Sequence, residues 1–306
     1  MNSEPPTLRA EPCILNPERL ACGLYWNRAW SLVDGCSPCG YECDHCWAAA
    51  GAHLRARNPV PAIARRYKGL TDRRGRFNGA LRIHEELLPQ PLRAKKPTVW
   101  SVWNDLLHDS VPNGLISAVM DVIADARCEQ QRFLICTKRP QRWQRWLQWH
   151  EEHWSGDGPY NLAAEVLDGC SPAVGLPLML GTTVGHQAAM RRAEELADSP
   201  MSRAAPLFLS IEPLLGPLEF RPGLLSQFAW AIVGCESGPR RRPCELAWVE
   251  SAVDQLRAAG VRVFVKQLDL AAGGKRGVFR TIEEFPRDLQ LRELPRSFYP
   301  KPAPRA

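Results

Sequence analysis

Seven short apolar runs, at roughly 28–34, 98–103, 131–136, 178–184, 206–211, 229–234 and 261–266, recur along the chain with helical stretches between them. Strands buried on both faces read as continuous apolar runs, and parallel neighbours need long crossovers to return to the same end of a sheet. The runs therefore predict parallel strands joined by helices. Residues 245–259 give the clearest helix, with Leu246, Val249, Val253 and Leu256 on one face and Gly260 as its stop. A second is expected over 113–127, where Leu115, Val119, Met120 and Ile123 form a similar stripe. This reading is an α/β fold, a partial (β/α) barrel of about six to seven parallel strands. It divides the chain into an N-terminal extension (1–25), the barrel (26–268, with a basic insertion at 52–96) and a C-terminal extension (269–306).

Polar side chains follow almost every run. Asn104 and Asp105 follow TVWSVW; Thr137, Lys138 and Arg139 follow RFLIC; Thr183, His186 and Gln187 close LMLGTT and its turn. Glu212 follows LFLSI, Glu236 and Ser237 follow WAIVGC, and Lys266 and Gln267 end VRVFV. In a β/α barrel the site lies at the C-terminal ends of the strands, so these residues are expected to line one pocket.

Eleven cysteines are present, and seven of them (Cys13, Cys22, Cys128, Cys136, Cys170, Cys235 and Cys244) are scattered. The other four, Cys36, Cys39, Cys43 and Cys46, fall within eleven residues. That is no disulfide framework; it reads as thiolates for a metal centre, with the scattered thiols as small buried hydrophobes. Cys39-x3-Cys43-x2-Cys46 lets one loop present three thiolates to three irons of a cubane and leaves the fourth iron open. S-adenosylmethionine (SAM) can chelate that iron and accept the electron that cleaves its C–S bond. Two alternatives stand beside this: a zinc site on two knuckle-like pairs, in a nucleic-acid-binding protein without catalysis, and a closed four-thiolate cluster. His45 and His108 read as supporting residues, not metal ligands.

The wider pattern resembles the phage-associated radical-SAM-like family. It carries GC at 35–36, CDHCWA at 43–48, KKP at 95–97, NDLLHDSVP at 104–112, TKRP at 137–140 and LGTTV at 180–184. EPLLGP at 212–217, CESGP at 235–239, RP at 242–243 and VKQ at 265–267 continue it. The resemblance implies a radical SAM enzyme with a [4Fe–4S] cluster and SAM at the mouth of a partial barrel, served by an electron donor such as flavodoxin or ferredoxin. It also implies a different third ligand, because the family spacing C-x6-C-x2-C falls on Cys36, Cys43 and Cys46. The choice between Cys36 and Cys39 stays open. The amine-binding Gly-Gly-Glu segment usual in the superfamily is missing where Asn104 and Asp105 stand.

SAM needs acceptors for its ammonium, hydrogen bonds for its ribose and positive charge for its carboxylate. Asn104, Asp105, Thr137, Lys138, Thr183, Glu212, Glu236, Ser237 and Lys266 are the candidates. Cys136 and Cys235, each ending a strand, are candidate hydrogen donors.

A formal charge of +6 favours anionic partners. Residues 55–96 hold twelve Lys or Arg against three acidic residues, either as a solvated insertion or as a lid facing an anion. The substrate expected is anionic, a nucleotide or nucleic-acid base before a peptide. Trp143, Trp146 and Trp149, interleaved with Arg139, Arg142 and Arg145, suggest base stacking, although a tryptophan stripe at helical spacing more often packs a core. Residues 155–176 read as an irregular loop, and YPKPAPRA at the end as frayed chain. With no apolar leader and no run long enough to span a bilayer, a cytoplasmic protein is expected.

Overall fold

The computed structural model describes residues 13–153, 176–238, 240–272 and 275–299. The loop expected over 155–176 lies almost wholly outside them, as do residues 300–306. In chain order the strands are β1 (Arg28–Trp30), β2 (Val33–Gly35), β3 (Leu81–Ile83), β4 (Val99–Val102) and β5 (Arg132–Thr137). They continue with β6 (Leu178–Thr183), β7 (Leu207–Ile211), β8 (Phe228–Gly234), β9 (Arg262–Ala272) and β10 (Lys275–Phe279). The helices are α1 (Pro17–Ala21), α2 (Trp47–Arg55), α3 (Pro61–Tyr67), α4 (Asn113–Ala124), α5 (Arg142–His153), α6 (Arg191–Ala197) and α7 (Leu246–Ala258).

Eight strands form one sheet in the order β1-β4-β5-β6-β7-β8-β9-β10. Every pair is parallel except the β9–β10 hairpin. The order never reverses. Right-handed crossovers in such a sheet all fall on one face, which is why α4, α5, α6 and α7 bury one continuous core. That core joins Ile116, Val119 and Ile123 of α4, Trp143 and Trp146 of α5 and Val249, Val253 and Leu256 of α7 to Phe133, Leu180, Leu209, Val233 and Val265 of the strands. Side chains alternate along each strand, so Val99, Leu134, Met179, Phe208, Ile232 and Phe264 face the other way. The two termini cover them: Leu15, Leu20 and Tyr25 from the N-terminal segment, Leu294 and Phe298 from the C-terminal one. Among the described residues no pairing joins β1 to the opposite edge, so the sheet is open.

Two expectations are corrected. The first apolar run is not one strand: β1 pairs with β4, but the chain turns at Ser31–Leu32 and β2 leaves to pair with β3 of the basic insertion. Gly35 ends β2 at φ +94°, and a Cβ there would stand 2.1 Å from the Ala80 carbonyl oxygen. Only glycine fits. The C-terminal extension, in turn, does not leave the sheet at residue 268, because β9 runs to Ala272 and β10 adds an antiparallel edge. The helix predicted over 245–259 forms as α7 and stops at Gly260, φ +76°.

Candidate functional site

The cysteine loop, residues 36–46, begins directly after β2 and ends where α2 starts. Three arginines fasten it, each from the stretch that follows a different strand, Arg192 within α6, and each pairing a buried carboxylate with a loop carbonyl. After β5, Arg139 Nη1 donates to Asp105 Oδ2 (2.6 Å) and Nη2 donates to the Ser37 carbonyl (2.9 Å). After β6, Arg192 donates to Glu42 Oε1 (2.8 Å) and to the Cys39 carbonyl (3.3 Å). After β8, Arg242 donates to Glu236 (2.5 Å) and to the Tyr41 carbonyl (2.9 Å). Glu236 also lies 2.9 Å from His45 Nδ1, and Ser37 Oγ lies 2.8 Å from His108 Nε2. Both histidines thus support the loop.

Gly185, in the turn after β6, lets the loop approach, since a Cβ there would stand 2.4 Å from the Pro213 carbonyl oxygen and 2.7 Å from Glu42 Cγ.

Within the loop, the Cys39 and Cys43 thiols act directly on each other. That interaction, joined by the charge of Lys138 and opposed by burial, draws the Cys43 thiol down to about 5, while Cys39 is held well above its ordinary value. Burial pulls the Lys138 ammonium down, but Cys43, Cys46, Cys136 and Cys39 outweigh it and hold the ammonium above its usual range. Lys138 thus feels the charge of three loop cysteines. Cys36 is placed differently. Its Sγ accepts from Arg139 Nη1 at 3.8 Å, although, like Cys46, it packs on the small apolar cluster of Ala49, Ala52, Leu70 and Phe77. Burial first, then Asp105, pushes its thiol up to about 11. Among the described residues no three His, Cys, Asp or Glu side chains converge as they would around a single ion.

The strand-end residues divide into two groups. Asp105 and Thr137 are scaffolding: Thr137 Oγ1 donates to Asp105 Oδ1 at 2.7 Å, and Asp105 is otherwise taken up by Arg139 and the Leu107 N–H. Asn104 stands at φ 61° with its Nδ2 on the Val33 carbonyl (2.6 Å), and Glu236 serves the Arg242 fastening. Ser237 is half-buried at the exit of β8.

The second group shares the inner face with the terminal segments. Cys136 packs there against the Leu134, Met179 and Phe264 cluster, with its Sγ 3.7 Å from Thr183 Oγ1. Glu212 accepts from Tyr25 Oη (3.0 Å) and Lys266 Nζ (2.5 Å), and Lys266 lies over the Tyr25 ring. Burial pushes the Cys136 thiol up to about 11, against the Thr183 hydrogen bond. Cys235 is not brought here. It belongs to the helix-side core, and burial first, then Cys244 and Asp269, raises its thiol to about 12.

Sequence reading missed Glu42, Arg192, Arg242 and Tyr25. Glu42 carried a signal: a carboxylate inside a run of prospective thiolate ligands needs a cation, and Arg192 supplies it. The tryptophan stripe is packing, with Trp143 and Trp146 at most 1% exposed in the core. In the basic insertion Arg66 pairs with the buried Asp34, and Arg82 donates to carbonyls at the end of α3.

No helix among the described residues is long and apolar enough to cross a membrane. A family model described as a protein of unknown function (DUF5131) matches residues 24–278. None of the curated proteins and none of the solved structures compared with the chain matches it.

Proposed function

We propose that this chain, which belongs to the DUF5131 family of proteins of unknown function, is a radical SAM enzyme holding a [4Fe–4S] cluster on Cys39, Cys43 and Cys46. The observation that carries the reading is the placing of those three cysteines on one loop that arginines pin beside the C-terminal ends of parallel strands, with Lys138 within reach of their charge. A cubane takes one thiolate per iron at separate corners, whereas zinc draws its thiolates around one centre. Three cysteines of one loop with a shared cation suit the first. Cys39 is preferred to Cys36 because it is exposed and interacts with Cys43, while the Cys36 thiol is engaged by Arg139. A cluster and SAM bound here supply reductive C–S cleavage and a 5′-deoxyadenosyl radical that removes a hydrogen atom from the substrate.

The protein's own part follows from its charges. Lys138 offsets the negative charge that three thiolates bring to the mouth of the sheet. Glu212 and Lys266 offer a carboxylate and an ammonium at the inner end of the same face, complementary to the amino and carboxylate groups of SAM. Ser237 and Thr183 add hydroxyls for a ribose. Cys136, protonated at neutral pH, has an S–H bond available to quench a product radical; Cys235 faces away and is dropped from that role. A partial barrel is the architecture that goes with this chemistry, and an unreversed run of seven parallel strands is consistent with it. The cations leave room for an anionic substrate, and the electron comes from a flavodoxin or ferredoxin.

Anaerobic reconstitution with iron and sulfide is expected to give a brown protein with about four irons per chain. Reductant and SAM should then release 5′-deoxyadenosine. Cys39→Ala should lose the cluster absorbance and Cys36→Ala retain it. A colourless protein carrying stoichiometric zinc would overturn the proposal.

A further inference from the structure

The surface beside the cysteine loop has a character of its own. The large apolar side chains left exposed among the described residues are Tyr41, Trp47, Leu54, Val60 and Ile63, all on that loop or on the α2–α3 segment after it. Trp47 follows Cys46 directly and is 58% exposed. Residues 47–76 hold eight Lys or Arg against one acidic residue, Asp72. Arg66 and Arg76 are engaged by Asp34 and Asp72. Arg57, Arg65, Lys68, Arg73 and Arg74 are exposed and form no ion pair among the described residues.

A narrow crevice of about 20 Å³ is set into this basic face and lined by Trp47, Tyr67, Phe77, Trp103, Arg55 and Asn104. Its walls are aromatic. Trp47 meets Trp103 edge-on with ring centroids 5.0 Å apart, and the Arg55 guanidinium lies over the Tyr67 ring at 5.4 Å. Asn104, one of its polar lining residues, holds a left-handed backbone (φ 61°) that a non-glycine residue adopts at a cost and that recurs at ligand sites. The crevice has room for little more than a water, so it is the ring of Trp47 at its rim, exposed to the outside, that a flat heterocycle can reach.

We propose that this face binds an unpaired stretch of nucleic acid, one base stacking on the exposed ring of Trp47 and the flanking phosphates lying on Arg57, Arg73 and Arg74. Exposed aromatic faces beside unpaired cations are the combination single strands use, stacking for the bases and charge for the backbone. An acidic protein would use the cations and leave the exposed Trp47 and Tyr41 rings without a purpose. A duplex keeps its bases stacked on one another and has none to offer. The inference does not rest on the cluster: it concerns side chains that take part in no metal-dependent step, and it is tested on protein as purified, before any iron is added.

Fluorescence anisotropy with labelled single-stranded DNA and RNA of about twelve nucleotides tests it. Binding that weakens steeply with salt is expected for at least one of the two, and the comparison shows which. Trp47→Ala should weaken it about tenfold and Trp47→Phe should retain most of it, because stacking needs only an aromatic face. Arg73→Glu with Arg74→Glu should reduce the slope of log affinity against log salt by about 1.4. All these side chains are exposed, so an unchanged denaturation midpoint shows that each variant folds. The proposal is overturned by absence of binding at low salt, by an affinity that ignores Trp47→Ala, or by duplex or polyglutamate binding as tightly as single strands.

Discussion

Arginine makes all three fastenings of the cysteine loop, and its shape explains why. A guanidinium presents five donors in a rigid fork, enough to hold a carboxylate with one edge and a loop carbonyl with the other; an ammonium is a point charge with no such plane. At Arg139 both partners, Asp105 and Ser37, are met in this way, with Asp105 only 7% exposed. Arg139→Met leaves Asp105 buried and unpaired, so the metal-free protein should lose about 3–5 kcal/mol in a denaturant titration. Arg139→Lys should lose less, keeping the charge and forfeiting the Ser37 bonds. The Glu236 fastening responds to pH. Burial raises this carboxyl, but the hydrogen bonds and charge of Arg242, with His45, outweigh burial and hold it below the usual range. A carboxyl depressed on folding stabilises above its unfolded value of about 4.3, and the contribution is lost as pH falls through the folded one. The thermal midpoint should therefore drop below about pH 4.3, and less so for Glu236→Gln, which starts lower at neutral pH. Of these residues Asp105, Arg139 and Glu236 stood out in the sequence as strand-end polar groups. Their use as loop anchors did not, because Cys39 and Arg192 meet only through a fold that closes 153 residues of separation.

Secondary structure was legible wherever one periodicity dominated. Six of the seven apolar runs became single strands because a parallel strand buried on both faces has no polar position to blur its limits. The first run failed for a topological reason: Trp30 and Val33 are equally apolar and buried, but one is held by β4 and the other by β3, and no local signal separates them. The α5 stripe illustrates the opposite ambiguity. Tryptophans three apart with arginines between them fit a stacking platform and a packed helix equally well by spacing alone, and the helix-side core claims Trp143 and Trp146. The buried Arg142 settles its own role by donating to the Val111 carbonyl at 3.1 Å. Trp143→Ala should therefore cost about 3–5 kcal/mol of stability, read from the denaturant midpoint. Single-strand affinity measured well below that midpoint should stay unchanged, which separates α5 from the Trp47 face.

At the scale of the whole molecule, the consequence of an unreversed strand order is a sheet with helices on one face and a second apolar face that the crossovers cannot reach. The sequence announces the first face through the periodicity of α4 and α7. It says little about the second, because the segments that cover it, around Leu15, Tyr25, Leu294 and Phe298, are short, irregular and separated from the strands by most of the chain. Both extensions, read from sequence as appendages, are structural. Ile14 N–H donates to the Phe298 carbonyl at 3.0 Å, tying the two ends together, and Phe298 is fully buried with its ring 5.6 Å from that of Trp230. The N-terminal segment also brings Tyr25 to Glu212, so the cover of the inner face is continuous with the proposed SAM end of the site. Phe298→Ala removes a large side chain from a face covered only by the short α1 and irregular chain, with no crossover helix to collapse into the gap. It should cost about 3–5 kcal/mol in the denaturant midpoint. Because the lost packing lies beneath Tyr25 and Trp230, amide exchange should rise in the N-terminal segment as well as around residue 298, while α4 and α7 keep their protection. Equal loss of protection across both faces would show instead that the termini and the helix-side core unfold as one unit.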